Sequence, residues 1–115
     1  METHSVVYNA DCLEGMRQFP DNYFQLCIAD PPYGIGEDGS KNHSRGKLAI
    51  AQNYKAYVGN DKEPPPPAFF DEMFRVSENQ IIWGANHFIE RIGKNSPCWV
   101  VWDKQNGTSD FADCE

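Results

Sequence analysis

The 115-residue chain contains no apolar run approaching the ~20 residues of a membrane span. Its opening, METHSVVYNAD, lacks the basic-then-apolar order of a signal peptide. Both absences lead us to expect a cytoplasmic protein with no membrane partner. The four cysteines, Cys12, Cys27, Cys98 and Cys114, form no CxxC pair and show no zinc-ligand spacing. That excludes a zinc-ribbon framework and leaves no metal site to expect. Cys27 and Cys98 stand inside apolar runs and read as small, reduced, buried thiols. Bases are scarce: ten Lys and Arg against seventeen acids give a net charge of −7, a field that opposes nucleic acid. The bases are uneven, however, and Lys41, Arg45, Lys47, Lys55 and Lys62 gather between Ser40 and Glu63 as a local positive patch. Internal repeats are absent, low complexity is confined to Pro64–Pro67, and no linker signal points to a second domain.

What is present is a globular composition, 40% hydrophobic and 13% aromatic, sufficient for a modest core. Val6 to Tyr8 is β-prone, and Leu13, Met16 and Phe19 recur at helical spacing before Pro20-Asp21-Asn22 breaks the pattern. Phe24 to Ala29 is a short apolar run bounded by turn signals, the pattern of a parallel strand covered on both faces. Gly34 to Glu63 is polar and aperiodic, far longer than an ordinary connection, and is expected to be a mobile loop. Prolines then open a helix from about Pro66 to Val76, with Phe69, Phe70, Met73 and Phe74 on one face. A strand at Gln80 to Trp83, a short helix around His87 to Ile92 and a buried strand at Cys98 to Trp102 follow. About four strands alternating with helices predict an α/β architecture, an open sheet with helices on both faces.

Two motifs compete for the segment after the first apolar run. Gly34-Ile35-Gly36-Glu37-Asp38-Gly39 matches G-x-G-x-x-G, and Asp61 lies at a plausible ribose-binding distance beyond it. A dinucleotide fingerprint, however, needs its glycines to lead directly from strand into helix, so that the helix N-terminus faces the pyrophosphate. Pro31 and Pro32 precede these glycines, and no amphipathic period follows them. A flexible hinge is the better reading.

Asp30-Pro31-Pro32-Tyr33 falls where a strand should end, the position at which open α/β sheets bind ligands. Prolines fix the backbone and leave carbonyls without neighbouring N–H donors. The Asp30 carboxylate and the Pro31 carbonyl form an acceptor pair suited to an exocyclic amino group, and Tyr33 offers a ring on which a planar base can stack. The plain alternative is a turn that ends a strand, with Tyr33 packed over it. His87 reads as structural or solvated, Trp83, Trp99 and Trp102 as core, and Asp103-Lys104 equally as site lining or as a surface pair.

The wider stretch NADCLEGMRQFPDNYFQLCIADPPYGI resembles the start of the amino-group DNA methyltransferases, in which an acid at a strand end precedes a short helix, a strand and then DPPY. NQIIWGANHF, PCWVVWDKQNG and TSDFADCE look like that family's later segments, with lower specificity. The resemblance implies a partial Rossmann-like methyltransferase sheet with flanking helices, in the permuted order that places the catalytic half first. It implies that Asp30, Pro31, Pro32 and Tyr33 are catalytic. It also implies that Asp11, Cys12 and Leu13 lie near the adenosine of S-adenosylmethionine, with Asp30 beside that cofactor.

Double-stranded DNA with a flipped target base is the implied partner, adenine being favoured over cytosine because the tetrapeptide begins with Asp. The family's F-x-G-x-G cofactor motif is absent from residues 1–115. The expectation is therefore an N-terminal catalytic portion that needs a missing C-terminal half, is inactive alone and self-associates. A protein-glutamine methyltransferase is the nearest enzymatic alternative, although that class usually begins the tetrapeptide with Asn. A non-catalytic nucleic-acid or protein-binding remnant is the alternative from another class.

Overall fold

A computed structural model of the chain describes residues 4–36 and 61–103. Helix α1 spans Cys12–Met16 and begins where Asp11 Oδ1 accepts the Glu14 backbone N–H at 3.0 Å. That bond satisfies one of the donors a helix N-terminus leaves open. A tight turn ends α1, with Gln18 N donating to Gly15 O and Phe19 N to Met16 O, both at 3.1 Å. Phe19 thus lies beyond the helix and packs its ring near Tyr8, Tyr23 and Phe24 instead. Asn22 takes a left-handed conformation, φ 52°, which Asn tolerates better than most residues. Strand β1 then runs Phe24–Ala29, matching the bounded apolar run.

Helix α2 covers Pro67–Val76, with Pro66 at its N-cap. Prolines suit this end because the N–H they lack would find no partner within the helix. Phe70, Met73 and Val76 are its buried positions. Strand β2, Ser77–Ile82, follows without a connecting residue. Ser77 makes this abrupt change possible: its buried hydroxyl donates to Met73 O at 2.6 Å, satisfying a carbonyl in the last turn of α2. A 3₁₀ turn at Ala85–His87 and the short α3, Ile89–Ile92, are the remaining regular elements among the described residues.

The two strands pair in parallel, from Phe24 opposite Ser77 to Ala29 opposite Ile82. Alternation assigns Cys27, Ala29 and Ile82 to one face, where they pack on the buried cluster of Phe70, Met73 and Phe88. Burial pushes the Cys27 thiol pKa up, with a smaller contribution from nearby Cys12. The other face presents Leu26, Ile28 and Ile81, with Ile28 63% exposed.

Among the described residues this is an α/β unit with its core on one side of a two-stranded sheet, coarser than the expected four strands covered on both faces. Val6 to Tyr8 form no strand, and Cys98 to Trp102 are irregular and exposed, Val100 to 90%. β-propensity reports fitness for a pleated, half-buried surface, and neither segment occupies one here. Cys98 and the three tryptophans are therefore not core residues: Trp83 and Trp102 meet edge-on at 5.4 Å while both remain exposed. β2 begins three residues earlier than Gln80, through polar Ser77, Glu78 and Asn79. Most of the expected loop at 34–63, with Lys41, Arg45, Lys47 and Lys55, lies outside the described residues.

Arg75 joins the pieces. Its guanidinium donates to Met16 O at 3.2 Å and Phe19 O at 3.0 Å, bonds Glu72 through two nitrogens, and pairs with Asp21 at 2.8 Å. The Arg75 hydrogen bond holds the Glu72 carboxyl below its usual range, burial opposing it more weakly.

Two predictions follow from this packing. Phe70→Ala should cost about 3–5 kcal/mol in urea unfolding, whereas Ile28→Thr on the open face should change stability by less than about 0.5 kcal/mol. Because the folded-state pKa of Glu72 is depressed, its contribution is fully present above the unfolded carboxyl value of about 4.3 and disappears as pH falls through the lower folded value. Glu72→Gln should flatten that acid limb of a stability–pH curve, and an unchanged limb would contradict the assignment.

Candidate active site

β1 delivers Asp30 to the carboxyl edge of the sheet, and β2 delivers Trp83 beside it. The link is explicit: Trp83 N donates to Ala29 O at 2.8 Å, extending the ladder one residue past the end of β2. Beyond this point the two chains diverge from the strand direction for different reasons. Pro31 and Pro32 restrict the backbone after Asp30, and Pro31 is buried. Gly84, at φ 62°, turns the other chain into the 3₁₀ turn that ends in His87.

The side chains of the two segments then meet. Tyr33 Oη donates to Asp30 Oδ1 at 3.0 Å, so the tetrapeptide closes on itself with its carboxylate still exposed. The His87 imidazole lies on the Tyr33 ring with centroids 4.6 Å apart and planes 20° from parallel. Phe88 supports the ring from the core at 5.8 Å. The site consequently presents an accessible carboxylate beside an aromatic surface made by two residues far apart in the chain, Tyr33 and His87. That combination can accept hydrogen bonds from a planar ligand's N–H groups while stacking against the ligand.

The glycines after Tyr33 have a separate structural task. Gly34 N donates to Asp61 Oδ1 and Gly36 N to Asp61 O, each at 2.7 Å. Gly34 and Gly36 have φ values of 76° and 71°, outside helical geometry. Asp61, considered for a ribose, is instead the acceptor that fixes this turn, and no helix follows directly from the glycines through Gly36. Gly39 lies outside the described residues.

Asp11, Cys12 and Leu13 sit at the start of α1, where Asp11 serves as the N-cap; Asp11 and Cys12 are exposed and Leu13 is half-buried. Asp103 is exposed and Lys104 lies outside the described residues. No group of three or more His, Cys, Asp or Glu that could hold a metal ion occurs among the described residues. No helix there is long and apolar enough to cross a membrane.

Sequence reasoning drew attention to Asp30 through Tyr33 but not to Gly84, and it placed His87 outside the site. The available signal was a glycine immediately after an apolar strand run, with an imidazole three residues beyond it. Neither indicates which distant ring it will meet.

No family model matches the chain, and no solved structure matches it. Among curated proteins, the type II methyltransferase M2.MboI of Moraxella bovis is 26% identical over 120 aligned positions. The alignment covers 92% of this chain and 43% of the relative, so the chain spans less than half the length of the curated protein it matches. This similarity supports a relationship to methyltransferases.

Proposed function

We propose that this chain carries the catalytic portion of a DNA methyltransferase that transfers a methyl group from S-adenosylmethionine to the exocyclic amino nitrogen of adenine, cytosine being the less favoured base. The observation that carries this reading is the Asp30–Tyr33 cluster at the carboxyl end of β1: an exposed carboxylate next to an aromatic ring, in a chain similar to a type II methyltransferase. Residues 1–115 would act with a second portion bearing the glycine-rich cofactor motif, and double-stranded DNA with a flipped target base is the substrate this reading implies.

The donor chemistry of S-adenosylmethionine fits the acceptors present. Its ammonium and ribose hydroxyls need carboxylates, and Asp11 and Asp30 are both exposed. Asp11, Cys12 and Leu13 would hold the adenosine end, with Asp30 beside the reacting centre. When bound, the cofactor supplies an electrophilic methyl group.

The protein's own task is to prepare the nitrogen. An exocyclic amino group is a poor nucleophile while its lone pair is delocalised into the base. Asp30 and the Pro31 carbonyl, by accepting its N–H bonds, favour the geometry in which that lone pair is available. Tyr33 holds the base plane by stacking. Since His87 covers one face of Tyr33, the base takes either the opposite face or the place of the imidazole.

In the protein carrying this chain and its cofactor portion, Asp30→Ala should abolish single-turnover methyl transfer while leaving much of the cofactor binding intact. Near-wild-type transfer by that variant would overturn the assignment. Tyr33→Ala should weaken capture of the flipped base by about 1–3 kcal/mol. Tyr33→Phe, which keeps the ring and removes the bond to Asp30, separates stacking from hydrogen bonding; equal losses in both variants would exclude stacking as the main role.

A further inference from the structure

Tyr33 approaches Gly84 more closely than any other residue type there would permit. A Cβ placed on residue 84 would stand 2.5 Å from Tyr33 Cζ and 2.7 Å from Tyr33 Oη, and would also press on Cε1. Real Cβ contacts do not occur at such distances, so any side chain at position 84 must displace the ring. Gly84 is itself buried, which leaves its backbone little freedom to retreat. Its amide chain is also pinned on one side by the Trp83 N to Ala29 O bond and on the other by His87 N donating to Gly84 O at 2.9 Å. The ring is the movable partner.

We infer that Gly84 is a positioning residue for the candidate active site: close contact between its backbone and the Tyr33 ring, reinforced by the His87 stack, sets the plane of the aromatic surface and holds the Tyr33 hydroxyl on Asp30. Its bearing on catalysis rests on the methyltransferase reading above, but the geometric claim does not. Adding one methyl group at position 84 pushes the phenol end of Tyr33, the end that bonds Asp30. The aromatic surface and the carboxylate would then lose their fixed relation. A misplacement of about 1 Å at a reacting centre can reduce rate by about 100-fold.

The protein contains its own control. Gly93 has almost the same backbone conformation, φ 63° against 62° for Gly84, yet a Cβ on Gly93 meets nothing within 4 Å. Alanine at either position bears the cost of a left-handed conformation, and only at position 84 does it also meet a ring.

The test compares Gly84→Ala, Gly93→Ala and Tyr33→Ala with the double variant Gly84→Ala/Tyr33→Ala in thermal unfolding. Aromatic NMR signals of Tyr33 and His87 are recorded in parallel. Gly84→Ala should lower the midpoint further than Gly93→Ala and shift the Tyr33 and His87 ring signals, which Gly93→Ala should leave in place. In the Tyr33→Ala background the excess loss at position 84 should vanish. If Gly84→Ala alone fails to fold, recovery of folding in the double variant supports the inference, and failure of both overturns it. Unmoved Tyr33 and His87 signals in a folded Gly84→Ala variant also overturn it. Methyl transfer in the protein with its cofactor portion should fall about 100-fold in Gly84→Ala and remain near wild type in Gly93→Ala. Equal activity in the two variants would remove the catalytic consequence, whereas absence of transfer in the wild-type protein would count against the methyltransferase reading and leave the NMR comparison to decide the geometry.

Discussion

One residue, Arg75, ties the end of α2 to the chain before β1 through both its backbone and its side chain. Arg75 O accepts the Asn22 backbone N–H at 2.8 Å, and the Arg75 guanidinium reaches back to the carbonyls of Met16 and Phe19. These carbonyls belong to the turn that terminates α1, where the regular helical ladder has ended. Arg75 donates to Phe19 O and adds a second donor to Met16 O, which already accepts from Phe19 N, and its planar fork does so while bonding Glu72. The bond from Asn22 to Arg75 has the same sequence offset as the sheet register, Phe24 opposite Ser77. It therefore sets the alignment of the two strands before either has begun.

Alignment at the start becomes alignment at the end. Both strands have six residues, so Ala29 and Ile82 finish level, and the bond from Trp83 to Ala29 closes the ladder there. A slip of one residue would exchange the faces of every side chain and turn Cys27 and Ala29 away from Phe70 and Met73. The same slip would separate Tyr33 from Gly84 and His87. Packing of the core and assembly of the candidate site are thus consequences of one register, specified by a buried face on one side and by Arg75 at the entrance.

Legibility in the sequence followed the range of the responsible forces. α2 was readable because its proline entry and apolar spacing are local, and Phe24–Ala29 because turn residues bound it. The beginning of β2 was not, since Ser77, Glu78 and Asn79 become strand through pairing with β1 and through the Ser77 cap on Met73. Cys98–Trp102 misled in the opposite direction: its residues suit a strand, but strand formation depends on a neighbouring ladder. At the site, Asp30 and Tyr33 announced themselves by chemical type and position. Gly84 and His87 acquire meaning only from contact with a ring about fifty positions earlier, and a single sequence contains no local trace of that contact.

The Asp61 clamp has a consequence for how this chain can vary. The backbone bond from Gly36 to Asp61, with the Asp61 carboxylate on Gly34, brings the two ends of the described segments 4–36 and 61–103 together. The entropy lost when two points of a chain are joined rises only logarithmically with the number of residues between them, so doubling that number adds about 0.6 kcal/mol. A change in the number of residues between Gly36 and Asp61 therefore alters the entropic cost of forming this clamp only slightly. Length at this point of the chain is thus cheap to change so long as Gly34, Gly36 and Asp61 keep their bonds.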